Sequence, residues 1–573
     1  MVQTKKSVRA GLSPTPAGKN VRAIRKCRPL FRAMSRLLPW ILAASSGVLL
    51  GLSYPPADLG NLIWIALVPL AWAVWFTKPS PRREWLRNAG LGYFCGLFFF
   101  PMGAFWLTEL TWPGYLLLAL YFSFYTAGWA VFAGMLKSPD AADTSPWLGS
   151  LHNLRVCALG AAGWTAMEWL RGVIFPAFGW NGLGIAQHAN IPFIQIADVT
   201  GVGGISFLIA MANLMVAATI KRLSLELGKG ARRAHLDFAL TIALVALAWT
   251  YGVRQLLDPE PASTEISFAA VQASVPQLER NNPAFEMEIL EGYKNQSLAA
   301  IAMQPDLILW PESATPNPVL GHQFTWDLVR GLAEQHAGDF LIGTVHWGQE
   351  GDFNSIALLT SRGSEAQLHH KIHLVPFGEY VPLRAEFPLL AHIIGELVPD
   401  DFDPGKKFTL LEMEAKPVKL GPLVCFEDTL GDLARRFAEL GAQAFVVVTN
   451  DGWFNESSGS LQHVRNALFR CVENNIPMIR AANTGVTCAI DRHGVVREIL
   501  RDPSGNTFGP GILFSKISVP QNPSPTFYSR YGEIFSISCL VLSAIVAGIS
   551  LIRLSRQKNS PRPNDSDPKI STP

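Results

Sequence analysis

Eight stretches of apolar residues, each long enough to cross a lipid bilayer, dominate this sequence. The last lies at about 533–552, and the first seven lie at about 37–54, 59–76, 88–108, 113–136, 155–174, 193–220 and 236–253. A helix needs about 20 apolar residues to span the hydrocarbon core of a membrane. The sequence therefore predicts an α-helical membrane bundle of about eight spans, with a long polar block between the seventh span and the eighth.

Charge divides the chain in the same way. The polar block, residues 255–532, carries 20 Lys and Arg against 33 Asp and Glu, whereas the rest of the chain carries 28 against 12. The positive charge outside the block lies between apolar runs and not on a folded surface. A nucleic-acid partner is therefore not expected.

Lysine and arginine are enriched in cytoplasmic loops, which orients the spans. The connections 55–58, 109–112 and 175–192 contain neither residue. The connections 77–87 and 221–235 and both ends of the chain contain several, and 137–154 contains Lys137. Both termini are thus predicted to be cytoplasmic, with the polar block on the opposite side. The predicted organisation is a basic tail (1–36), a seven-span domain (37–254), a soluble domain (255–532, core 265–519), the last span (533–552) and a cytoplasmic tail (553–573).

The polar block alternates short β-branched runs with amphipathic stretches, which is typical of an α/β domain. The predicted helices are 284–303, 321–337, 429–440 and 460–474. The predicted strands are 265–272, 306–310, 339–346, 354–360, 418–425, 443–449, 477–481 and 486–490.

The outward connection after the fifth span is rich in aromatic residues, including Trp180. We interpret these aromatics first as an interfacial belt and second as the edge of a lipid entrance. Glu168 and Arg171 lie at the end of that span, and two interpretations stay open for them: a functional site, or an ion pair that holds helices together.

Three reactive side chains lie at or just past the end of an apolar, strand-like stretch and before a turn-rich segment, where α/β proteins collect their functional groups. They are Glu312, Lys371 and Cys425. A carboxylate can deprotonate a thiol, and a fixed ammonium can stabilise both the thiolate and the oxyanion that forms when sulfur attacks a carbonyl. The set suffices for acyl transfer and needs no metal and no cofactor.

Four ordered strings carry a family resemblance: WPES at 310–313, HHKIHLVPFGEYVP at 369–382, VCFED at 424–428 and TNDGWF at 449–454. They resemble the nitrilase superfamily and its Glu–Lys–Cys triad. Together with seven spans before the domain and one after it, they resemble the apolipoprotein N-acyltransferase family. The resemblance covers roughly residues 37–552.

The resemblance implies an αββα sandwich of the nitrilase type and a role for each residue of the triad. Glu312 would be the general base, Lys371 the cation that stabilises the oxyanion, and Cys425 the nucleophile. Glu379 and Glu427 match acidic positions that shape the site. The backbone N–H of Phe426 would be a second oxyanion donor. His369, His370 and His373 flank Lys371 without a partner cluster, so a metal site is not expected.

The implied activity is transfer of a fatty acyl chain from a membrane phospholipid to the N-terminal amine of a diacylglyceryl apolipoprotein, through a Cys425 thioester. The implied place is the bacterial inner membrane, with the catalytic domain on the periplasmic side, and the chain is expected to act as a monomer. Two alternatives stay open. One is a membrane-tethered amidohydrolase of the nitrilase type, which would need only one anchor. The other is a non-catalytic lipoprotein-binding protein.

Overall fold

The computed structural model describes residues 36–77, 83–136, 146–227, 235–280, 282–360, 365–382, 384 and 401–559. The basic tail, most of the Lys- and Arg-containing loops and the end of the C-terminal tail lie outside these residues. The part before the polar block is helical. Its helices are α1 (Arg36–Leu52), α2 (Val68–Phe76), α3 (Glu84–Gly103), α4 (Trp112–Met135), α5 (Pro146–Val173), α6 (Ile191–Ile194), α7 (Ala197–Leu227) and α8 (Leu236–Leu257).

By length and composition, four helices of the described chain could cross a membrane: α4, α7, α8 and Ile534–Arg556 near the C-terminus. The apolar helices α1 and α2 are shorter. The helices α3 and α5 are long enough, at 20 and 28 residues, but do not have the apolar composition of a full span. The N-terminal region therefore contains several apolar helices, and the count of eight spans stays a prediction.

The second predicted span, 59–76, is not one continuous helix. A 3-10 turn at Gly60–Trp64 is followed by a break, and α2 then begins with a proline in its first turn. Buried side chains bind the backbone groups that the break exposes. Asn213 accepts from the N–H of Leu67 at 2.9 Å and donates to the carbonyl of Ile63 at 2.9 Å. Irregular backbone at membrane depth is tolerated where protein satisfies it in this way.

The polar block folds around two six-stranded mixed sheets. The first sheet has the strand order β12-β1-β2-β3-β4-β5, and the second has the order β11-β10-β9-β8-β7-β6. The strands of the first sheet are β1 (Ser263–Gln272), β2 (Leu307–Trp310), β3 (Asp339–Gly348), β4 (Gly351–Leu359), β5 (Gln367–His370) and β12 (Gly511–Pro520). Those of the second are β6 (Leu411–Glu412), β7 (Lys419–Val424), β8 (Ala444–Thr449), β9 (Met478–Ala482), β10 (Cys488–Ile490) and β11 (Val496–Ile499).

The two sheets pack face to face, and helices cover both outer faces. Apolar side chains of both sheets, such as Phe268 and Val446, form one buried cluster between them. The helices α9 (Glu286–Ala302) and α10 (Gln323–Gln335) pack on the first sheet. The helices α11 (Gly431–Glu439) and α12 (Gly459–Asn474) pack on the second, followed in the chain by α13 (Phe527–Tyr531) and α14 (Ile534–Asn559). The block is thus an αββα sandwich, as predicted.

The outer helices of the second sheet also pack on the N-terminal helices. One continuous apolar cluster contains Val464 and Leu468 of α12 together with Ile194 of α6 and Ile205 of α7. The sandwich is therefore joined to the helical part through a shared core.

Candidate active site

The Glu312 carboxylate lies two residues past the end of β2, where Pro311 stops the strand. Its side chain is buried, with 6% exposed. Oε1 accepts a hydrogen bond of 2.7 Å from Asn354, whereas the buried Oε2 has no hydrogen-bond partner within the described residues. One carboxylate oxygen is thus held in place, and the other is free to accept a proton.

The Lys371 ammonium immediately follows β5 and is also buried, at 1% exposed. Its Nζ lies 2.8 Å from Glu379 Oε2 and 3.7 Å from Glu312 Oε1. Burial by itself lowers the pKa of Lys371, but the two carboxylates outweigh it and the net pKa is raised. Lys371 is therefore a fixed cation throughout the physiological pH range.

The Cys425 thiol lies at the end of β7, where the chain turns into a 3-10 turn (Cys425–Thr429). Its φ of +54° is rare for a non-glycine residue and sets the thiol on a sharp strand-to-helix turn. Cys425 is partly exposed, unlike the other described cysteines, which are buried. Burial and Glu312 raise the pKa of the thiol, and Lys371 opposes them only in part. The resting sulfur is thus a neutral thiol that needs a base.

The two supporting carboxylates have different surroundings. Glu379 pairs with Lys371 and accepts from the N–H of Val375 at 2.8 Å. Glu427 accepts three backbone N–H groups, from Ile372 and His373 beside Lys371 and from Val424 before Cys425, at 2.7 to 2.9 Å. Burial nevertheless raises the pKa of Glu427 to about 7. Glu427 therefore joins the loop that carries Lys371 to the turn that carries Cys425.

Asn354, in the middle of β4, was not predicted as a site residue. Its Nδ2 donates to both Glu312 Oε1 and Glu379 Oε1, at 2.7 Å each. The main chain of Asn354 also accepts the N–H of Lys371 at 2.8 Å. Arg280 was missed as well; its guanidinium donates to the main-chain carbonyls of Glu312 and Ser313 and so holds the loop that carries the proposed base.

The prediction of an interfacial belt is wrong for Trp180, whereas Phe175 of the same connection is exposed. Trp180 is buried, at 4% exposed, and stacks on Phe178 with ring centroids 5.1 Å apart. Phe178 in turn stacks on Phe426, the residue after the candidate nucleophile, at 5.8 Å and 4° between planes. Aromatic rings of the helical part thus contact Phe426, in the turn of the sandwich that carries Cys425.

Glu168 and Arg171 do not pair with each other within 4.0 Å in the described chain. Glu168 Oε1 instead accepts from Trp164 at 2.7 Å and from the N–H of Leu183 at 2.8 Å. The guanidinium of Arg171 lies over the ring of Phe100, 5.3 Å from its centroid. The helix-pairing interpretation is therefore wrong for this pair, and Glu168 holds the loop that carries Trp180.

The histidines near Lys371 pack among apolar and aromatic groups. His369 is buried against Phe437, and burial lowers its pKa to about 3. His373 lies beside Phe426, with ring centroids 6.0 Å apart. Within the described ranges, no three His, Cys, Asp or Glu side chains are grouped as metal ligands would be.

Comparison with known proteins identifies the family. Residues 46–215 match the model of the apolipoprotein N-acyltransferase N-terminal domain, and residues 268–508 match the carbon-nitrogen hydrolase model. An apolipoprotein N-acyltransferase of Geobacter metallireducens is 32% identical over 543 residues, which cover 92% of this chain and 98% of that protein. The chain belongs to the apolipoprotein N-acyltransferase family. Another member, from Allorhizobium ampelinum, is 30% identical over 88% of this chain and 95% of its own.

Membership makes the chain an acyltransferase with a carbon-nitrogen hydrolase fold. A solved structure of a CN-hydrolase superfamily protein from Xanthomonas campestris is 15% identical, covers 52% of this chain and 99% of that one, and has a TM-score of 0.34. In the present chain, Glu312, Lys371 and Cys425 all lie within the carbon-nitrogen hydrolase match. They offer a proton acceptor, a fixed cation and a partly exposed thiol in one place, which is a chemically complete set for attack on a carbonyl.

Proposed function

We propose that the protein transfers a fatty acyl chain from a membrane phospholipid to the N-terminal amine of a diacylglyceryl apolipoprotein. The observation that carries this proposal is a partly exposed Cys425 thiol beside a buried carboxylate with a free oxygen and a fixed ammonium. The relatives' name, apolipoprotein N-acyltransferase, supports the acceptor and the transfer of an acyl group to nitrogen.

The proposed reaction has two halves. In the first half, Glu312 Oε2 takes the thiol proton while sulfur attacks the carbonyl carbon of a phospholipid ester. Lys371 and the N–H of Phe426 stabilise the tetrahedral oxyanion. The intermediate collapses to a Cys425 thioester, and the lysophospholipid alkoxide leaves with the proton from Glu312.

In the second half, the α-amine of the apolipoprotein attacks the thioester. Glu312, ionised again, takes the amine proton, an amide bond forms, and the thiolate leaves and recovers that proton. Because the thioester persists between the halves, the site has to exclude water. The stacked rings of Phe178, Trp180 and Phe426 supply an apolar surface next to the turn that begins at Cys425.

The proposed setting is a bacterial inner membrane crossed by eight spans, with the domain at 255–532 on the periplasmic side and both termini in the cytoplasm. The charge asymmetry of the loops supports this orientation. Every group of the proposed mechanism is on one chain, which supports a monomeric enzyme.

Intact-protein mass spectrometry after incubation with phospholipid tests the proposal. We expect a fatty-acyl adduct that hydroxylamine removes on the wild type and on Cys471→Ala, a control that changes a buried cysteine of α12. Cys425→Ala should carry none. An unmodified wild type that leaves phospholipid unconsumed would sink the acyl-donor half, and release of ammonia from soluble amides without lipid would favour an amidohydrolase.

A further inference from the structure

Gln462 lies on α12, and its buried side chain, 1% exposed, makes four hydrogen bonds to loops of the helical part. Its Oε1 accepts from Trp180 Nε1 at 2.7 Å, Trp106 Nε1 at 3.0 Å and Asn181 Nδ2 at 3.0 Å. Its Nε2 donates to the carbonyl of Pro55 at 2.8 Å. An indole N–H can only donate, so the two tryptophans fix which end of the amide is oxygen.

The Trp180 ring that Gln462 holds belongs to a group of nearly parallel rings that includes Phe426, the residue after Cys425. Trp180 lies 9° from parallel with Phe178, and Phe178 lies 4° from parallel with Phe426. Phe122 of α4 stacks on Phe178 as well, at 5.9 Å. Trp180 also lies 6.4 Å from Phe426 and 5° from parallel with it. The Phe426 ring therefore contacts two rings of the helical part, which restrain its position.

We propose that Gln462 is a positioning residue for acyl transfer. By holding Trp180, and through it Phe178 and Phe426, it fixes the Phe426 N–H where the oxyanion forms. This inference rests on the proposed function and extends it, because it makes loops outside the carbon-nitrogen hydrolase domain part of the oxyanion site. Fixed geometry matters here since Cys425 has a positive φ and a small rotation of the turn would swing the next N–H away.

Two reactions of the same sulfur separate this role from general folding. Acylation by palmitoyl-oleoyl-phosphatidylethanolamine in mixed micelles passes through an oxyanion. Alkylation by iodoacetamide forms a carbon–sulfur bond by displacing iodide and has no tetrahedral intermediate. In the full-length protein, Gln462→Leu should slow acylation at least about tenfold, which is below the about hundredfold cost of deleting an oxyanion donor outright. The alkylation rate and the half-saturating phospholipid concentration should stay within about twofold of wild type.

Two further variants sharpen the test. Gln462→Glu keeps acceptor oxygens for the three donors and should recover part of the acylation rate. The matched control is Gln195→Leu: Gln195 is another buried glutamine that joins the helices to the sandwich, and its Nε2 donates to the carbonyl of His493 at 2.9 Å, away from the stack. It should acylate like the wild type.

Three results would overturn the inference: unchanged acylation in Gln462→Leu, an equal loss of acylation and alkylation, or an equal loss of acylation in Gln195→Leu. Failure of the proposed function looks different, because the wild type itself would then form no acyl adduct.

Discussion

At the scale of single residues, Asn354 is the group that joins the acidic side chains of the site. Its one amide nitrogen donates to both Glu312 and Glu379, which are the two carboxylates that flank Lys371. Two carboxylates beside one ammonium repel each other, and a hydrogen-bond donor that both share offsets this repulsion. Asn354 therefore sets the position of the proposed base relative to the proposed oxyanion cation.

Replacing that donor should slow acylation. In Asn354→Leu, Glu312 Oε1 and Glu379 Oε1 lose a buried hydrogen bond, and a charged acceptor without its donor costs about 1.5–3 kcal/mol. If that energy is expressed in the transition state, the rate of thioester formation falls about 10- to 100-fold. The measurement is the time course of the acyl adduct by mass spectrometry.

Asn317→Leu is the matched control for Asn354→Leu. Asn317 Nδ2 likewise donates to a carboxylate oxygen, Glu286 Oε1, at 2.6 Å, but outside the site. It should acylate at the wild-type rate. Wild-type kinetics in Asn354→Leu would show that the bridge does not act in the reaction.

The sequence identifies some of these residues and hides others. Glu312, Lys371 and Cys425 each lie within a short string that resembles a family motif, so a local pattern was enough to find them. Asn354 lies inside the strand GDFNSIALL, and only the pairing of β4 with its neighbours brings it to the site. Gln462 is a polar residue on a helix, and no local signal says that it faces protein and not water.

At the scale of elements, a buried ionic cluster joins four segments of the second sheet and its helices. Asp428 lies in the turn after β7, Asp451 follows β8, His463 lies on α12 and Arg480 on β9, and all are 1% exposed or less. His463 is 2.9 Å from each aspartate, and Arg480 contacts both at 3.1 to 3.3 Å. When His463 is protonated, two cations and two anions neutralise each other and hold the turn that carries Cys425 against the sheet.

This cluster predicts a pH dependence of stability. Burial and Arg480 lower the pKa of His463, but the two aspartates raise it to about 9. A raised pKa stabilises the fold fully below the unfolded value near 6.5, and that stability is lost as pH rises through about 9. The shift corresponds to about 3 kcal/mol of unfolding free energy as an upper bound.

Thermal unfolding in detergent between pH 6.5 and pH 9.5 measures the effect. The wild-type midpoint should fall across this range, whereas His463→Asn should start lower and change less. His322→Asn, on the far side of the sandwich before α10, should keep the wild-type slope. Equal slopes in wild type and His463→Asn would contradict an imidazolium in the cluster.

The strands that could be predicted are those with a distinctive composition. The β8 sequence AFVVVT is buried throughout and reads as a central parallel strand. The strands β5, β6, β11 and β12 were not predicted. QLHH in β5 and LE in β6 are short and lack β-branched residues, and β12 is defined by its long-range pairing with β1. The break before α2 was hidden because its stabilising partner, Asn213, is far away in the chain.

At the scale of the whole molecule, the helical part and the sandwich share one apolar core and the Gln462 hydrogen bonds. Such a junction fixes the orientation of the sandwich relative to the helical part. The predicted topology can then be tested by finding on which side of the membrane the sandwich lies.

Cysteine labelling in whole cells tests that topology. In a chain with Cys27 and Cys425 changed to alanine, the remaining described cysteines are buried. A membrane-impermeant maleimide should label Ser504→Cys, in an exposed turn of the sandwich, in intact cells. Ser224→Cys, exposed near the end of α7, should be labelled only after permeabilisation. Labelling of both in intact cells would contradict the eight-span arrangement.

The first and last strands of the domain are neighbours: β1 pairs with β12 in antiparallel register from Ser263 with Pro520 to Gln272 with Gly511. This pairing has a consequence for biosynthesis. The edge of β1 has no partner until the ribosome has made residues 511–520, which at about 5–20 residues per second takes on the order of ten seconds or more. Throughout that interval the nascent chain carries an open strand edge, and open edges invite wrong pairing. A chaperone that binds open strand edges would have its longest opportunity to act in that interval.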